Sequence, residues 1–117
     1  MRVFLCDDNE QYRLLARIVL EPIYEIVGEA GDGVEAIELA PELAPDVVLL
    51  DLNMPRLNGH EALPRLRELL PHARLLVLTS GQATDERERA LAAGADGFIL
   101  KPESVYALVG ELAAALG

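Results

Sequence analysis

Residues 47–51 read Val47-Val48-Leu49-Leu50-Asp51, four aliphatic residues followed at once by a carboxylate. A short run that is apolar at every position is typical of a parallel strand covered by helices on both faces. Three further apolar runs end on reactive polar groups in the same way. They are Val3-Phe4-Leu5-Cys6 before Asp7 and Asp8, Leu75-Leu76-Val77-Leu78 before Thr79, and Phe98-Ile99-Leu100 before Lys101. Functional groups in an open α/β sheet gather outside the carboxyl ends of the strands, so we expect all of these groups at one edge.

Longer amphipathic stretches separate the apolar runs, which is the pattern of βαβ units. The sequence therefore predicts a three-layer α/β protein with a five-stranded parallel sheet. Strands are predicted near 2–6, 24–28, 46–50, 74–79 and 96–100, and helices near 10–20, 33–43, 59–70, 84–93 and 104–116. Right-handed crossovers leave few topologies. In the strand order 2-1-3-4-5 the first and third strands lie side by side at the switch point.

Two of the predicted helices have irregular features. Pro64 falls inside the third helix and lacks a backbone donor, so this helix either begins later than Gly59 or kinks. The fourth helix has Leu91 as its only large apolar residue, and we expect it to be weakly anchored. Asp32 and Ser104 are suitable residues to cap the second and fifth helices.

The composition fits one domain that spans residues 1–117. A net charge of −10 argues against a surface for nucleic acid or anionic membranes, since such a surface needs lysine and arginine. Acidic residues begin at Asp7, too early for a signal peptide, and no run approaches the roughly 20 apolar residues of a membrane span. Cys6 is the only cysteine, which excludes an internal disulfide. We therefore expect a cytoplasmic protein.

The polar strand ends have the chemistry of a metal-assisted phosphoryl acceptor. Three carboxylates, those of Asp7, Asp8 and Asp51, contribute −3 and Lys101 contributes +1, which leaves −2. One divalent cation would neutralise this charge, and ligands that are all oxygen favour Mg²⁺. Asp51 stands at the centre and is the candidate nucleophile, which would form an aspartyl phosphate. Lys101 and the metal would stabilise the charge on the phosphoryl oxygens.

Two other groups fit the same chemistry. Asn53 could offer its backbone carbonyl to the metal. Phosphorylation would replace a charge of −1 on Asp51 with about −2, which calls for additional hydrogen bonds. The Thr79 hydroxyl is suitably placed to move toward that group.

Together these motifs resemble the receiver domain of two-component response regulators. The motifs are Asp7-Asp8, Asp51-Leu52-Asn53-Met54-Pro55 with Gly59, Thr79-Ser80-Gly81 and Lys101-Pro102, and they extend over essentially the whole chain. The resemblance implies a flavodoxin-like (βα)5 fold and phosphoryl transfer to Asp51 from a phosphohistidine of a sensor histidine kinase or phosphotransfer protein. Residues 27–33 and 45–55 look most like receivers that precede a helix-turn-helix DNA-binding domain.

The resemblance also implies a set of metal ligands. Asp8, Asp51 and the Asn53 backbone carbonyl would bind Mg²⁺ directly, and Asp7 would act through water. Mn²⁺ is a suitable substitute for Mg²⁺, and no other cofactor is implied.

The resemblance further implies a switch. Thr79 would be the switch hydroxyl, and Phe98, three residues before Lys101, would be the aromatic side chain that moves inward on activation. The bond between Lys101 and Pro102 would be a cis peptide. The surface formed by the fourth helix, fifth strand and fifth helix would carry the signal to an effector domain, a target protein or a second copy of the chain.

Two other functions compete with this interpretation. A phosphatase of the haloacid-dehalogenase type also uses a strand-end aspartate with Mg²⁺, but it needs a general acid two residues later, where this chain has Asn53. A phosphorylation-independent interaction domain would lack the acidic pair, Asp51 or Lys101, and all are present. We therefore expect a signalling domain that assists only its own phosphorylation and dephosphorylation. Whether it acts alone or as part of a longer regulator stays open.

Overall fold

A five-stranded parallel sheet forms the middle layer in a computed structural model that describes residues 1–80 and 84–117. The strands are β1 (Arg2–Cys6), β2 (Glu25–Ala30), β3 (Val47–Leu50), β4 (Arg74–Thr79) and β5 (Gly97–Leu100). They lie in the order β2-β1-β3-β4-β5, and every neighbouring pair is parallel. The predicted topology is confirmed, so β1 and β3 are neighbours at the centre of the sheet.

Helices connect the strands and cover both faces of the sheet. They are α1 (Glu10–Leu20), α2 (Gly33–Leu43), α3 (Gly59–Leu69), α4 (Thr84–Ala92) and α5 (Leu108–Leu116), with a 3-10 turn (Val105–Ala107) leading into α5. The boundaries coincide with the predicted ones or lie within two residues of them, apart from the 3-10 start of the last helix. Within the described part of the chain, no helix combines the length and apolar character needed to cross a membrane.

Successive residues of the central strands point to opposite faces of the sheet and build two hydrophobic clusters. Phe4, Val48 and Val77 belong to the cluster beneath α2, α3 and α4. Leu5 and Leu49 belong to the cluster beneath α1 and α5. Each of these side chains is almost fully buried, and burial of one such side chain contributes about 1.5–3 kcal/mol. The three layers are therefore held by apolar packing on both faces.

The structure decides the open question about the third helix. The helix begins at Gly59 and continues through Pro64, so a later start is wrong. Asn58 fixes this start because its side chain accepts a hydrogen bond from the Glu61 backbone N–H at 3.0 Å. Pro64 lacks the backbone N–H that would donate to the His60 carbonyl, and its side chain is exposed.

The fourth helix is anchored by a small residue. Ala90 is fully buried, and it is the only buried residue among the side chains described for α4. Leu91 is 42% exposed and does not serve as the anchor. The expectation of weak anchoring therefore agrees with the packing.

The predicted Asp32 cap of α2 is confirmed, whereas Ser104 caps the 3-10 turn that leads into α5 and not α5 itself. Asp32 accepts a hydrogen bond from the Glu35 backbone N–H at 2.8 Å at the start of α2. Ser104 accepts one from the Tyr106 backbone N–H at 3.3 Å at the start of the 3-10 turn. The polar residues that precede these helices thus satisfy backbone donors that the helices leave free.

The start of α2 packs directly against the loop between β3 and α3, which predicts a large effect of a small substitution. A Cβ atom on Gly33 would lie 1.9 Å from the Leu57 carbonyl oxygen, a main-chain atom that cannot rotate away. We expect Gly33→Ala to lower the free energy of unfolding by about 2–3 kcal/mol. Gly110 in α5 has open space at the same atom, so Gly110→Ala should raise it by about 0.5–1 kcal/mol. Urea unfolding of both variants tests this, and equal midpoints would contradict it.

Candidate functional site

Main-chain pairing at the carboxyl edge of the sheet brings the predicted polar groups together. Asp7 follows β1 and Asp51 follows β3, and the Asp51 backbone N–H donates to the Cys6 carbonyl at 2.8 Å. Thr79 ends β4, and its carbonyl accepts from the Lys101 backbone N–H at 2.8 Å. The strand ladder thus extends into the loops and fixes the height of each functional residue at this edge.

The centre of the site is an ammonium group held between two buried carboxylates. Lys101 Nζ lies 2.6 Å from Asp7 Oδ2 and 3.1 Å from Asp51 Oδ2. Both aspartates are 5% exposed, and the Lys101 side chain is 14% exposed. Buried charges are costly unless they are paired, so each of the three groups depends on the others. The predicted convergence of the strand ends is confirmed.

The acidic side chains at this edge also fit a divalent cation. Asp7, Asp8 and Asp51 each offer one carboxylate oxygen, and these three atoms lie within 4.8 Å of one another. Asp8 is exposed, so the cluster opens to solvent on its side. Three charges of −1 and one of +1 from Lys101 leave −2, and hard oxygen donors suit Mg²⁺. The residues present therefore fit the predicted ion.

The loop that follows β3 contacts the central carboxylate through its main chain. The Asn53 backbone N–H donates to Asp51 Oδ1 at 3.0 Å, so both carboxylate oxygens of Asp51 have a donor. Gly59 allows this loop to lie close, because a Cβ atom there would be 2.5 Å from the Asp51 carbonyl oxygen. The Asn53 side chain is exposed. Its main chain, rather than its side chain, therefore contacts the site.

Burial and ion pairing shift the pKa values of both Asp7 and Lys101. Burial raises the pKa of Asp7, hydrogen bonds from Lys101 and the Asn9 backbone oppose the shift, and Asp51 adds to it. Burial lowers the pKa of Lys101, but the two carboxylates outweigh burial, so that this pKa is raised overall. Lys101 therefore stays positively charged, and Asp7 is a carboxylate whose charge is costly in the folded protein.

The raised pKa of Asp7 predicts a pH-dependent stability. The folded protein binds a proton at Asp7 more readily than the unfolded chain, whose pKa is near 3.8. The contribution of Asp7 to the free energy of unfolding is therefore fully present below about pH 3.8. It is lost as the pH rises through the raised pKa that Asp7 has in the folded protein. We expect metal-free Asp7→Asn to be more stable than the wild type at neutral pH, with the difference shrinking below about pH 4.

Urea midpoints for the wild type and Asp7→Asn, measured across this pH range without divalent cations, test that expectation. The exposed Asp85 provides a matched control, because Asp85→Asn removes the same charge outside the site. A difference between wild type and Asp7→Asn that is independent of pH would contradict burial as the cause.

The two predicted switch residues lie on β4 and β5. Thr79 is fully buried at the end of β4, where it pairs in register with Leu100 of β5. Phe98 is partly buried in β5 and packs against the cluster beneath α2, α3 and α4. Gly81, which belongs to the threonine motif, lies outside the described residues. The two residues are thus on adjacent strands, one of them next to the charged centre.

The peptide bond between Lys101 and Pro102 does not have the predicted cis form. The part of the chain that the structure describes contains no cis peptide bond, so this bond is trans and the predicted cis form is wrong. The two forms of a bond to proline differ by only about 0.5–1 kcal/mol, so the residue pair alone does not decide between them.

Two residues next to the charged centre were overlooked in the sequence. The Tyr12 ring centroid lies 4.3 Å from Lys101 Nζ, which makes Tyr12 a third neighbour of the ammonium. Arg13 was overlooked as well, and it donates to the Asp7 carbonyl and to Glu29. Both residues lie in the first turns of α1, which begins directly after the acidic pair. The sequence could have indicated both residues, because α1 follows the acidic pair directly and its first turns must therefore lie near the strand ends.

Comparison with known proteins gives a consistent result. Residues 3–113 match the family model of the response regulator receiver domain. The chain is 42% identical over 101 residues to the chemotaxis protein CheY of Halobacterium salinarum, with 86% of this chain and 84% of that protein covered. It is 39% identical to the nitrate/nitrite response regulator protein NarL of Escherichia coli K12, with 96% of this chain but only 54% of that protein covered. The fold matches the response regulator domain of Thermotoga maritima CheB with a TM-score of 0.88 at 32% identity, covering 99% and 93% of the two chains.

Proposed function

The chain belongs to the response regulator receiver domain family, and we propose on this basis that Asp51 accepts a phosphoryl group from a phosphohistidine in an Mg²⁺-dependent reaction. Domains of this family are phosphoacceptor signalling domains. The observation that carries the proposal is the Lys101 ammonium, which lies within 3.1 Å of both the Asp7 and Asp51 carboxylates. An ammonium in this position can stabilise a phosphoryl group on Asp51.

The proposed reaction needs little beyond positioning and charge. A carboxylate oxygen of Asp51 forms a bond to phosphorus while the bond from phosphorus to the histidine nitrogen breaks. The leaving imidazole keeps the electron pair of that bond and takes up a proton. Lys101, already directed at Asp51 Oδ2, donates to an oxygen of the phosphoryl group and offsets its charge.

We propose that Asp8, Asp51 and the Asn53 backbone carbonyl bind Mg²⁺ directly and that Asp7 does so through water. The support is the set of three carboxylate oxygens within 4.8 Å of one another and the uncompensated charge of −2. Bound Mg²⁺ supplies charge neutralisation and orientation of the phosphoryl oxygens. The same oxygen ligands accept Mn²⁺ as a substitute.

Phosphorylation is proposed to change the surface formed by α4, β5 and α5. A phosphorylated Asp51 carries about −2 in place of −1, and the Thr79 hydroxyl moves toward it. Phe98 follows inward from its partly buried position, and α4 shifts easily because Ala90 is its buried anchor. Three large apolar side chains on this surface are exposed and could contact a partner. Leu91, Leu100 and Tyr106 are 42%, 49% and 77% exposed.

The proposed partners follow from the family and from the length of the relatives. A sensor histidine kinase or histidine phosphotransfer protein supplies the phosphoryl group in the cytoplasm. The output passes to an effector domain, a target protein or a second phosphorylated copy. An effector domain is included because this chain spans only about half of NarL. The chain forms one receiver domain over residues 1–117, and its charge of −10 makes direct binding of nucleic acid by this domain unfavourable.

One experiment separates this function from the phosphatase and from a phosphorylation-independent domain. The protein is incubated with acetyl phosphate, with Mg²⁺ or with excess EDTA, and its intact mass is measured. We expect one phosphoryl adduct with Mg²⁺ and almost none with EDTA. Folded protein that takes up no phosphoryl group with Mg²⁺ would contradict the proposal, and repeated turnover of phosphate esters would favour the phosphatase.

A further inference from the structure

We propose that Tyr12 is a positioning residue, whose ring holds the Lys101 ammonium in place to meet the phosphoryl group on Asp51. The inference rests on the proposed function of Asp51. It assigns to Tyr12 a role in the site through its aromatic face, and none through its hydroxyl.

The surroundings of the ammonium carry the argument. A lysine ammonium has three N–H donors, and Asp7 Oδ2 and Asp51 Oδ2 lie 2.6 and 3.1 Å from the nitrogen. The Tyr12 ring centroid lies 4.3 Å from the same nitrogen, well within the roughly 6 Å of a cation–π contact. Since the Lys101 side chain is only 14% exposed, the ring occupies a side of the ammonium that water would otherwise reach.

The main chain that carries the ring is itself fixed to the acidic side of the site. The Asn9 side chain accepts a hydrogen bond from the Tyr12 backbone N–H at 3.0 Å, which caps α1. The Asn9 backbone N–H donates in turn to Asp7 Oδ1 at 2.9 Å. Asp7, Asn9, Tyr12 and Lys101 therefore form a closed chain of contacts, which fixes the main chain that carries the ring relative to the site.

The hydroxyl of Tyr12 does not account for its position. The phenol oxygen is buried, and it makes no hydrogen bond within the described part of the chain. A buried hydroxyl without a partner is unfavourable, so the ring face and its packing hold the side chain in place. A phenylalanine should therefore serve at this position, whereas an aliphatic residue should not.

Asp7 and Asp51 both contact the Lys101 ammonium, and the Tyr12 ring affects which of the two carboxylates the ammonium faces. The ammonium is already closer to Asp7 than to Asp51, and a lysine stem of four carbons is flexible. Without the ring, water can surround the free side of the ammonium and Lys101 can turn toward Asp7. Lys101 would then be charged and present but poorly directed at Asp51.

The main test is a mutant cycle on the rate of phosphorylation by acetyl phosphate with Mg²⁺. We expect Tyr12→Leu to react about 10-fold more slowly than the wild type, the size of a partly desolvated cation–π contact. Tyr12→Phe should restore most of the rate. In a Lys101→Met background, followed over long incubations, Tyr12→Leu should cause no further slowing. Tyr24→Leu removes a partly buried tyrosine ring just before β2, at the opposite edge of the sheet, and serves as the matched control.

A second measurement does not depend on the reaction. In metal-free protein the ε-protons of Lys101 should show an upfield ring-current shift by NMR, lost in Tyr12→Leu and retained in Tyr12→Phe. An unshifted Lys101, an unchanged rate in Tyr12→Leu, or equal slowing in the Lys101→Met background would overturn the inference. A wild type that takes up no phosphoryl group would overturn the proposed function, and this role of Tyr12 with it.

Discussion

Asp51→Asn is expected to abolish the Mg²⁺-dependent phosphoryl adduct, with a fall in rate of at least about 1,000-fold. An amide cannot attack phosphorus as a carboxylate does, so the substitution removes the nucleophile itself. Intact mass spectrometry after incubation with acetyl phosphate measures the adduct directly.

The loss should not come from unfolding. An asparagine at position 51 can still accept a hydrogen bond from Lys101 or from the Asn53 backbone N–H, and the substitution removes one of two neighbouring buried charges. We therefore expect a urea midpoint at or above that of the wild type. Asp85→Asn, on the exposed first turn of α4, removes an equal charge and should be phosphorylated normally. An adduct of undiminished yield on Asp51→Asn would exclude Asp51 as the acceptor.

Lys101→Met is expected to lower both stability and reactivity. It leaves the Asp7 and Asp51 carboxylates buried without their cation, which should lower the free energy of unfolding by about 2 kcal/mol at neutral pH. The cost is limited because Asp7, whose pKa burial already raises, can take up a proton. Phosphorylation should slow by about 100-fold, the usual effect of removing one donor that stabilises developing charge. Urea unfolding and the rate of adduct formation measure the two effects.

Two variants distinguish charge from packing as the cause. Lys101→Arg keeps the positive charge and should lose less stability than Lys101→Met. Combining Asp7→Asn with Lys101→Met removes one of the two carboxylates and should recover part of the lost stability, though not the lost reactivity. If Lys101→Met unfolds at the wild-type urea concentration, the ammonium does not hold the carboxylates together as we describe.

The sequence predicted the sheet and the convergence of its strand ends well. Each central strand is covered on both faces, so its run of aliphatic residues ends abruptly at the polar group, as at Leu50 and Asp51. Parallel strands share one carboxyl edge, so these ends must meet, and the contacts of Lys101 with Asp7 and Asp51 follow. The charge count was informative for the same reason, since it depends on residue types and not on side-chain conformations.

Features that depend on side-chain packing or on small energy differences were not predicted. Tyr12 lies in an amphipathic helix, where an aromatic residue is usually part of the core, and only its distance from Lys101 connects it with the site. The trans bond before Pro102 reflects an energy difference too small to infer from sequence. Leu91 is the only large apolar residue of α4, but the buried residue is its small neighbour Ala90, and which of the two faces the core depends on how the helix packs.

The central claim is that Asp51 itself carries the phosphoryl group, and chemical trapping of the product tests this most directly. Borohydride reduces an aspartyl phosphate to homoserine, which peptide mass spectrometry locates in the chain. Protein phosphorylated with Mg²⁺ and acetyl phosphate should contain homoserine at position 51 and aspartate at positions 7 and 8. Homoserine at position 7 or 8, or a stable phosphate on a serine, threonine or histidine with position 51 unmodified, would contradict the account.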